Sequence, residues 1–172
     1  MSGPAVRSVV RPVEERDVDA VVGLVHELAA YEKAPEHCHL TPAELRAALF
    51  GPAPALFGHV AELRPEDGHG PGEVVGCALW FLNFSTWRGV HGIYLEDLYV
   101  RPAHRGLGLG RGLLAALAAV CVERGYGRLE WWVLDWNAPS IAFYRALGAV
   151  PMDEWTVFRL DGDALAALGR EA

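Results

Sequence analysis

Apolar positions recur along the chain with two different periods, and the switches between them lay out the elements. Val18, Val21, Val22, Val25, Leu28 and Ala29 fall three and four apart behind Asp17, a residue suited to capping. That spacing predicts a helix running to about Glu32. Thr41-Pro42-Ala43-Glu44 has the form of a capping box with proline in the first turn. A short second helix should open there and end at Gly51, Pro52 and Pro54. Residues 109–124, rich in Ala and Leu, make the clearest helix, with Gly125 placed to cap its C-terminus. Asn137 stands before another helical stretch that has Pro139 in its first turn and stops at Gly148. Runs rich in β-branched and aromatic residues read as strands at 6–10, 56–63, 74–84, 92–100, 128–134 and 155–160. Residues 64–72 form a polar Gly/Pro turn, and 163–168 a short terminal helix.

The resulting order is β-α-α-β-β-β-α-β-α-β. Hairpins in the middle and αβ crossovers late imply an α/β (α+β) fold, a mixed, mostly antiparallel sheet with helices on both faces. No repeat or linker divides the chain, so residues 1–172 should form a single domain.

Composition narrows the function. At 52% hydrophobic the chain can fill a core without disulfides or metal. Fifteen Lys and Arg against 22 Asp and Glu give a net charge of -7, which disfavours a protein that grips nucleic-acid backbone. Cys38, Cys77 and Cys121 lie far apart with no C-x-x-C, which suits free thiols in a reducing cytoplasm. The longest apolar run, 113–122, is too short to span a bilayer, and residues 1–12 lack the apolar core of a secretory leader. The triplet His37-Cys38-His39 has no third or fourth ligand in sequence, so no metal is expected.

The most informative segment is Arg105-Gly106-Leu107-Gly108-Leu109-Gly110, between a predicted strand and the clearest helix. Glycines there let a ligand approach the main chain, and N–H groups at a helix start attract anions. The turn lacks the Gly-Lys-Ser/Thr of a P-loop, and Arg111 stands where the dinucleotide pattern needs a third glycine. What remains is R-x-x-G-x-G after Val100-Arg101-Pro102; by itself it reads equally as a ligand-free glycine turn.

This signature resembles that of the GCN5-related N-acetyltransferases, in which the loop cradles the pyrophosphate of acetyl-CoA. Leu28-Ala29-Ala30-Tyr31-Glu32, Tyr94-Leu95-Glu96-Asp97 and Trp136-Asn137-Ala138-Pro139-Ser140-Ile141-Ala142-Phe143-Tyr144 resemble the diamine (spermidine/spermine) acetyltransferase branch. The likeness covers roughly residues 6–161. It implies acetyl-CoA as cosubstrate, no metal, a small amine as partner and a homodimer. It implies a cofactor site from Leu98, Tyr99, Val100, Arg105, Gly106, Leu107, Gly108, Leu109, Gly110, Arg111, Asn137, Pro139 and Ser140.

Acetyl transfer requires that the amine lose a proton, that the thioester carbonyl be polarised, and that the thiolate be protonated. By spacing alone Tyr144 reads as a core tyrosine sharing a face with Asn137 and Ser140. The resemblance assigns it the role of general acid. Glu96 and Asp97 are adjacent on a predicted strand and should point to opposite faces; acids within an apolar strand are structural ion pairs or functional. The resemblance assigns Glu96 to the amine, as binder and as base through water. It adds Tyr31, Glu32, Glu130, Trp132 and Glu154 on the substrate side. Where polyamine-handling members carry Asp-Pro-Trp, this chain has Ser85-Thr86-Trp87, which weakens the case for spermine and puts a diamine or thialysine-like amino acid at least level with a polyamine as the substrate. The expected activity is direct attack in a ternary complex; Cys77 and Cys121 have no base partner in sequence and are not nucleophiles. Competing readings are a protein-lysine acetyltransferase, a non-catalytic acetyl-CoA-binding regulatory domain, and nucleotide hydrolysis at the glycine turn.

Overall fold

The computed structural model describes residues 6–66, 70 and 72–172. Positions 67–69 and 71 of the expected polar turn lie outside the described residues. By its contacts the chain divides into two compact units, Met1–Trp132 and Val133–Ala172.

The first unit is built on one sheet of β1 (Val6–Pro12), β2 (Phe57–Pro65), β3 (Glu73–Ser85), β4 (Val90–Val100) and β5 (Leu129–Glu130), in that spatial order. The first three pairings are antiparallel; β5 joins β4 in parallel. A parallel neighbour needs a long crossover, here through α3 (Leu109–Arg124). Helices α1 (Val18–Tyr31) and α2 (Pro42–Phe50) fill the stretch between β1 and β2.

Alternation along the strands shows which face each helix covers. Val60, Cys77, Leu79 and Tyr99 pack with Val18, Val21 and Leu24 of α1 and with Leu45 and Leu49 of α2. Their strand neighbours Ala61 and Ala78 point the other way and are equally buried. Gly112 of α3 lies against Val10, and Val10 stands opposite Ala61. So α3 covers the second face, with Leu113 and Leu117 fully buried. Each such leucine contributes about 1.5–3 kcal/mol of burial.

Local chemistry fixes the ends. The Thr41–Glu44 capping box forms as the sequence reads: Thr41 Oγ1 accepts from the Glu44 N–H at 3.3 Å, and Glu44 accepts from the Thr41 N–H at 2.9 Å. At the start of α1, Arg11 donates to both oxygens of Asp17 at 2.6 and 2.9 Å and to Glu62 at 2.7 Å; Arg64 also donates to Glu62 at 2.8 Å. Burial pushes the Asp17 carboxyl up, yet the Arg11 hydrogen bonds and the Glu14 N–H hold it below its ordinary value. Glu62 is likewise held low, foremost by Arg64.

The second unit contains α4 (Ala138–Ala146) and α5 (Gly162–Gly169). Two expectations need correction here. The strand read at 155–160 does not form, so the final β of the expected order is absent and α5 follows α4 directly. Its apolar residues lie in water, with Trp155 68% and Phe158 91% exposed. A strand exists only where its N–H and C=O groups find a ladder, and no described strand pairs with this segment. The strand read at 128–134 contracts to Leu129–Glu130, because β4 pairs with it only at Ile93 and Tyr94.

Candidate active site

The site is organised along β4. Antiparallel pairing with β3 runs regularly until Trp80 meets Leu95; Leu79 then lies opposite Asp97, leaving Glu96 without a partner. This one-residue bulge bends the strand and resets its alternation. Asp97 shares the face of Tyr99, turned toward α1, since its partner Leu79 packs in the α1 cluster. Leu95 pairs with Trp80, on the other face. Strict opposition of Glu96 and Asp97, expected from an unbroken strand, is thereby corrected: Glu96 is the bulge residue and is exposed.

Three carboxylates meet here. Glu32 caps the C-terminus of α1. Burial raises the Glu32 carboxyl above its ordinary value. Asp97 is pushed up to about 6, chiefly by burial, then by the charges of Glu96 and Glu32. No cation contributes to either shift. A region that crowds carboxylates without a positive partner favours a cationic ligand. Asp97 is the residue that sequence reasoning left aside; its signal was an acid inside the apolar run Leu95 to Val100.

Beyond Asp97, Leu98, Tyr99 and Val100 pair with Ala78, Cys77 and Gly76 of β3. On the opposite edge no described strand lies beside them, because β5 has already ended. Their backbone groups on that edge are left for other partners. One is taken internally: Arg105 Nε donates to the Val100 carbonyl at 2.9 Å. The Arg105 guanidinium also sits 5.0 Å from the Tyr31 ring centre and 5.6 Å from that of Tyr99, within cation–π range.

After Arg105 the chain turns through Gly106 (φ 81°) and Gly108 (φ 76°), both in the left-handed region. A Cβ at either would meet nothing within 4 Å, so the space beside the turn is open. Gly108 is the N-cap of α3, and no side chain caps that helix end. Gly106, Leu107, Gly108, Leu109, Gly110 and Arg111 thus present the positive end of a 16-residue helix to an open approach. This fits a pyrophosphate. Arg101, just ahead of the turn, is paired with Glu27 at 3.0 Å and Glu73 at 3.2 Å.

On the far side of β4, Glu130 accepts from Asn83 at 2.7 Å and from Arg128 at 2.9 Å. The exposed Trp132 meets Tyr94 edge-on at 5.8 Å. In the second unit, the Asn137 side chain accepts from the Ser140 N–H at 3.4 Å, with Pro139 in the first turn of α4. Tyr144 stands one turn after Ser140, half-buried, with its ring 5.4 Å from that of Phe143. Glu154 lies in the exposed segment before Trp155. Burial raises the Cys77 and Cys121 thiols, which leaves both poor nucleophiles.

A mixed sheet in which β4 carries an acidic bulge and leads to a glycine turn at an uncapped helix start is the frame of a group-transfer enzyme. Residues 22–149 match the model of the Acetyltransferase (GNAT) family, and the chain belongs to that family. It is 38% identical to a thialysine N-epsilon-acetyltransferase of Bos taurus over 163 residues, 92% of this chain and 95% of that one. It is 42% identical to an L-ornithine N5-acetyltransferase of Arabidopsis thaliana over 97 residues, 56% of this chain and 42% of that one. Among solved structures, an integron cassette protein from V. cholerae has the same fold, with TM-score 0.75, 23% identity and coverage of 95% and 98%. The protein is an acetyltransferase enzyme of the mixed α/β GNAT fold. No helix of the described residues is long and apolar enough to cross a membrane.

Proposed function

We propose that this single-domain, cytoplasmic enzyme moves the acetyl group of acetyl-CoA to the primary amine of a small cationic substrate. The class is a diamine or a thialysine-like amino acid. The observation that carries this reading is the carboxylate cluster of Glu32, Glu96 and Asp97: no described cation contributes to the raised Glu32 and Asp97 carboxyls, and Glu96 and Asp97 share β4 with the run into the open glycine turn. The relatives that act on thialysine and ornithine support the same substrate class.

In the proposed reaction the amine nitrogen attacks the thioester carbonyl directly, the carbon–sulfur bond breaks, and no acyl-enzyme forms. Backbone groups of Leu98, Tyr99 and Val100 contact the acyl and pantetheine portions. The main-chain N–H groups of the turn from Arg105 to Arg111 receive the pyrophosphate; Asn137, Pro139 and Ser140 complete the cofactor site. Glu96 takes the amine proton through water, and Tyr144 returns a proton to the thiolate. Tyr31, Glu32, Glu130, Trp132 and Glu154 form the substrate side.

We also propose a homodimer. The support is the apolar C-terminal segment from Val150 to Leu168, exposed throughout in the single chain. Burying such a surface in a second copy removes it from water.

The deciding experiment offers spermidine, putrescine, thialysine, ornithine, an aminoglycoside and a histone-like peptide with acetyl-CoA and reads thiol release. Release is expected with the small diamines or amino acids. Release with the peptide alone would move the reading to protein acetylation; none with any amine would overturn it.

A further inference from the structure

Arg105 stands where the two halves of the proposed site meet. It opens the glycine turn, yet its side chain folds back, away from a pure anion-binding role. Nε is spent on the Val100 carbonyl at the end of β4. The guanidinium lies against Tyr31, the last residue of α1, and Tyr99 of β4. Tyr31 directly precedes Glu32, whose charge acts on Asp97. Burial, and after it the nearby charge of Glu27, raises the Tyr99 hydroxyl above its ordinary value. One planar cation therefore joins the strand end, the helix end and the first residue of the glycine turn.

We propose that Arg105 is a positioning residue that holds the Tyr31–Glu32 end of α1 in register with the acidic bulge of β4. Through it, filling the glycine turn tightens the amine side. The inference rests on the acetyl-CoA and amine reading above. It assigns Arg105 a role on the amine side, whereas a residue of the pyrophosphate site would act on the cofactor. The physical basis is that Gly106 follows Arg105 directly. An anion that fixes the backbone of the turn also fixes the root of this side chain. Coupling of this kind is reciprocal, so an amine at the carboxylates must strengthen cofactor binding by the same factor.

The test uses the full chain with Arg105→Gln, Arg105→Lys, Tyr31→Leu and the Arg105→Gln/Tyr31→Leu double variant, each confirmed as folded by thermal melting. Hydrogen–deuterium exchange is read with and without coenzyme A. Exchange at residues 28–34 should quicken in Arg105→Gln and Tyr31→Leu and be partly restored in Arg105→Lys. Coenzyme A should protect 28–34 in the wild type and lose that effect in Arg105→Gln while still protecting the turn. Unchanged exchange at 28–34 in Arg105→Gln, or equal protection by coenzyme A in both proteins, overturns the proposal.

Kinetics with thialysine give the second readout. Arg105→Gln should raise the amine KM by roughly 3- to 30-fold, the range of one cation–π contact from exposed to desolvated, with a smaller change in the acetyl-CoA KM. The double variant should be no worse than the poorer single one. A raised acetyl-CoA KM with an unchanged amine KM would make Arg105 a phosphate contact and overturn the proposal. Failure of the wild type to bind coenzyme A or to acetylate an amine would refute the functional reading. Exchange at 28–34 in the unliganded proteins would still decide the role of Arg105.

Discussion

Replacing Asp97 with asparagine should make the unliganded protein more stable at neutral pH. In the folded chain Asp97 is pushed up to about 6 from an ordinary 3.8, first by burial and then by Glu96 and Glu32. An unfolded Asp97 releases its proton near 3.8, whereas the folded one keeps it until about 6. Between those values the native state binds the extra proton, so stability falls as pH rises through that window and stays lower above it. A shift of this size corresponds to about 3 kcal/mol at pH 7.5. Asparagine has nearly the same shape and no charge, so Asp97→Asn should recover up to that amount. Urea unfolding at pH 4 and pH 7.5 measures it directly. A gain of about 1–3 kcal/mol at pH 7.5 that disappears near pH 4 is expected. A loss of stability at pH 7.5, or an equal gain at both values, would refute the electrostatic account of the cluster. The same group ties stability to function. A cationic amine stabilises the ionised form, so amine affinity measured by calorimetry should weaken as pH drops below about 6.

Three further outcomes follow from other parts of the structure. Tyr144→Phe should lower kcat by on the order of 10²–10⁴ while acetyl-CoA binding, read by calorimetry, changes less than about twofold. Intact turnover would return Tyr144 to a packing role. Gly108→Ala places a side chain at φ 76° and should destabilise the fold by about 1–2 kcal/mol in urea, with a raised acetyl-CoA KM. Arg11→Met leaves the buried carboxylates of Asp17 and Glu62 without their shared cation and should remove about 3–5 kcal/mol at pH 7. Because both carboxyls are held low by their partners, that loss should shrink as pH falls through their folded values and they take up protons.

What the sequence disclosed and what it withheld divide along a physical line. Helices announce themselves through neighbours three and four residues away, and so Thr41 with Glu44 and Gly125 after Arg124 marked their ends correctly. The glycine turn was legible for the same reason, since left-handed backbone at Gly106 and Gly108 is a local demand. Pairing is not local. The stretch 155–160 carries the apolar pattern of a strand, but a pattern states that burial is wanted without naming the partner. The bulge at Glu96 depends on how β3 and β4 slide past one another, which no spacing within β4 records. Arg101 and Arg105 look alike in sequence as cations beside a phosphate turn. Only the fold shows that Glu27 and Glu73 neutralise the first and that two rings and a carbonyl hold the second.

A net charge of -7 by itself disfavours a polyanion, but the proposed reading separates the two problems. As proposed, the glycine turn would meet an anion with backbone N–H groups and a helix dipole, which leave net charge unaltered and act only at short range. The carboxylates of Glu32, Glu96 and Asp97 act over a longer distance and draw cations toward the protein before contact. On the proposed reading, an acidic surface therefore hinders the cofactor little once it is seated, while it enriches the amine near the site. The two fields lie close together because both belong to β4 and its exit. They would weaken one another if a mobile cation sat between them. Fixing Arg105 to the Val100 carbonyl and beside Tyr31 and Tyr99 confines its charge to a defined place. In its proposed role there it orders the helix end that carries Glu32 and leaves Asp97 to the amine.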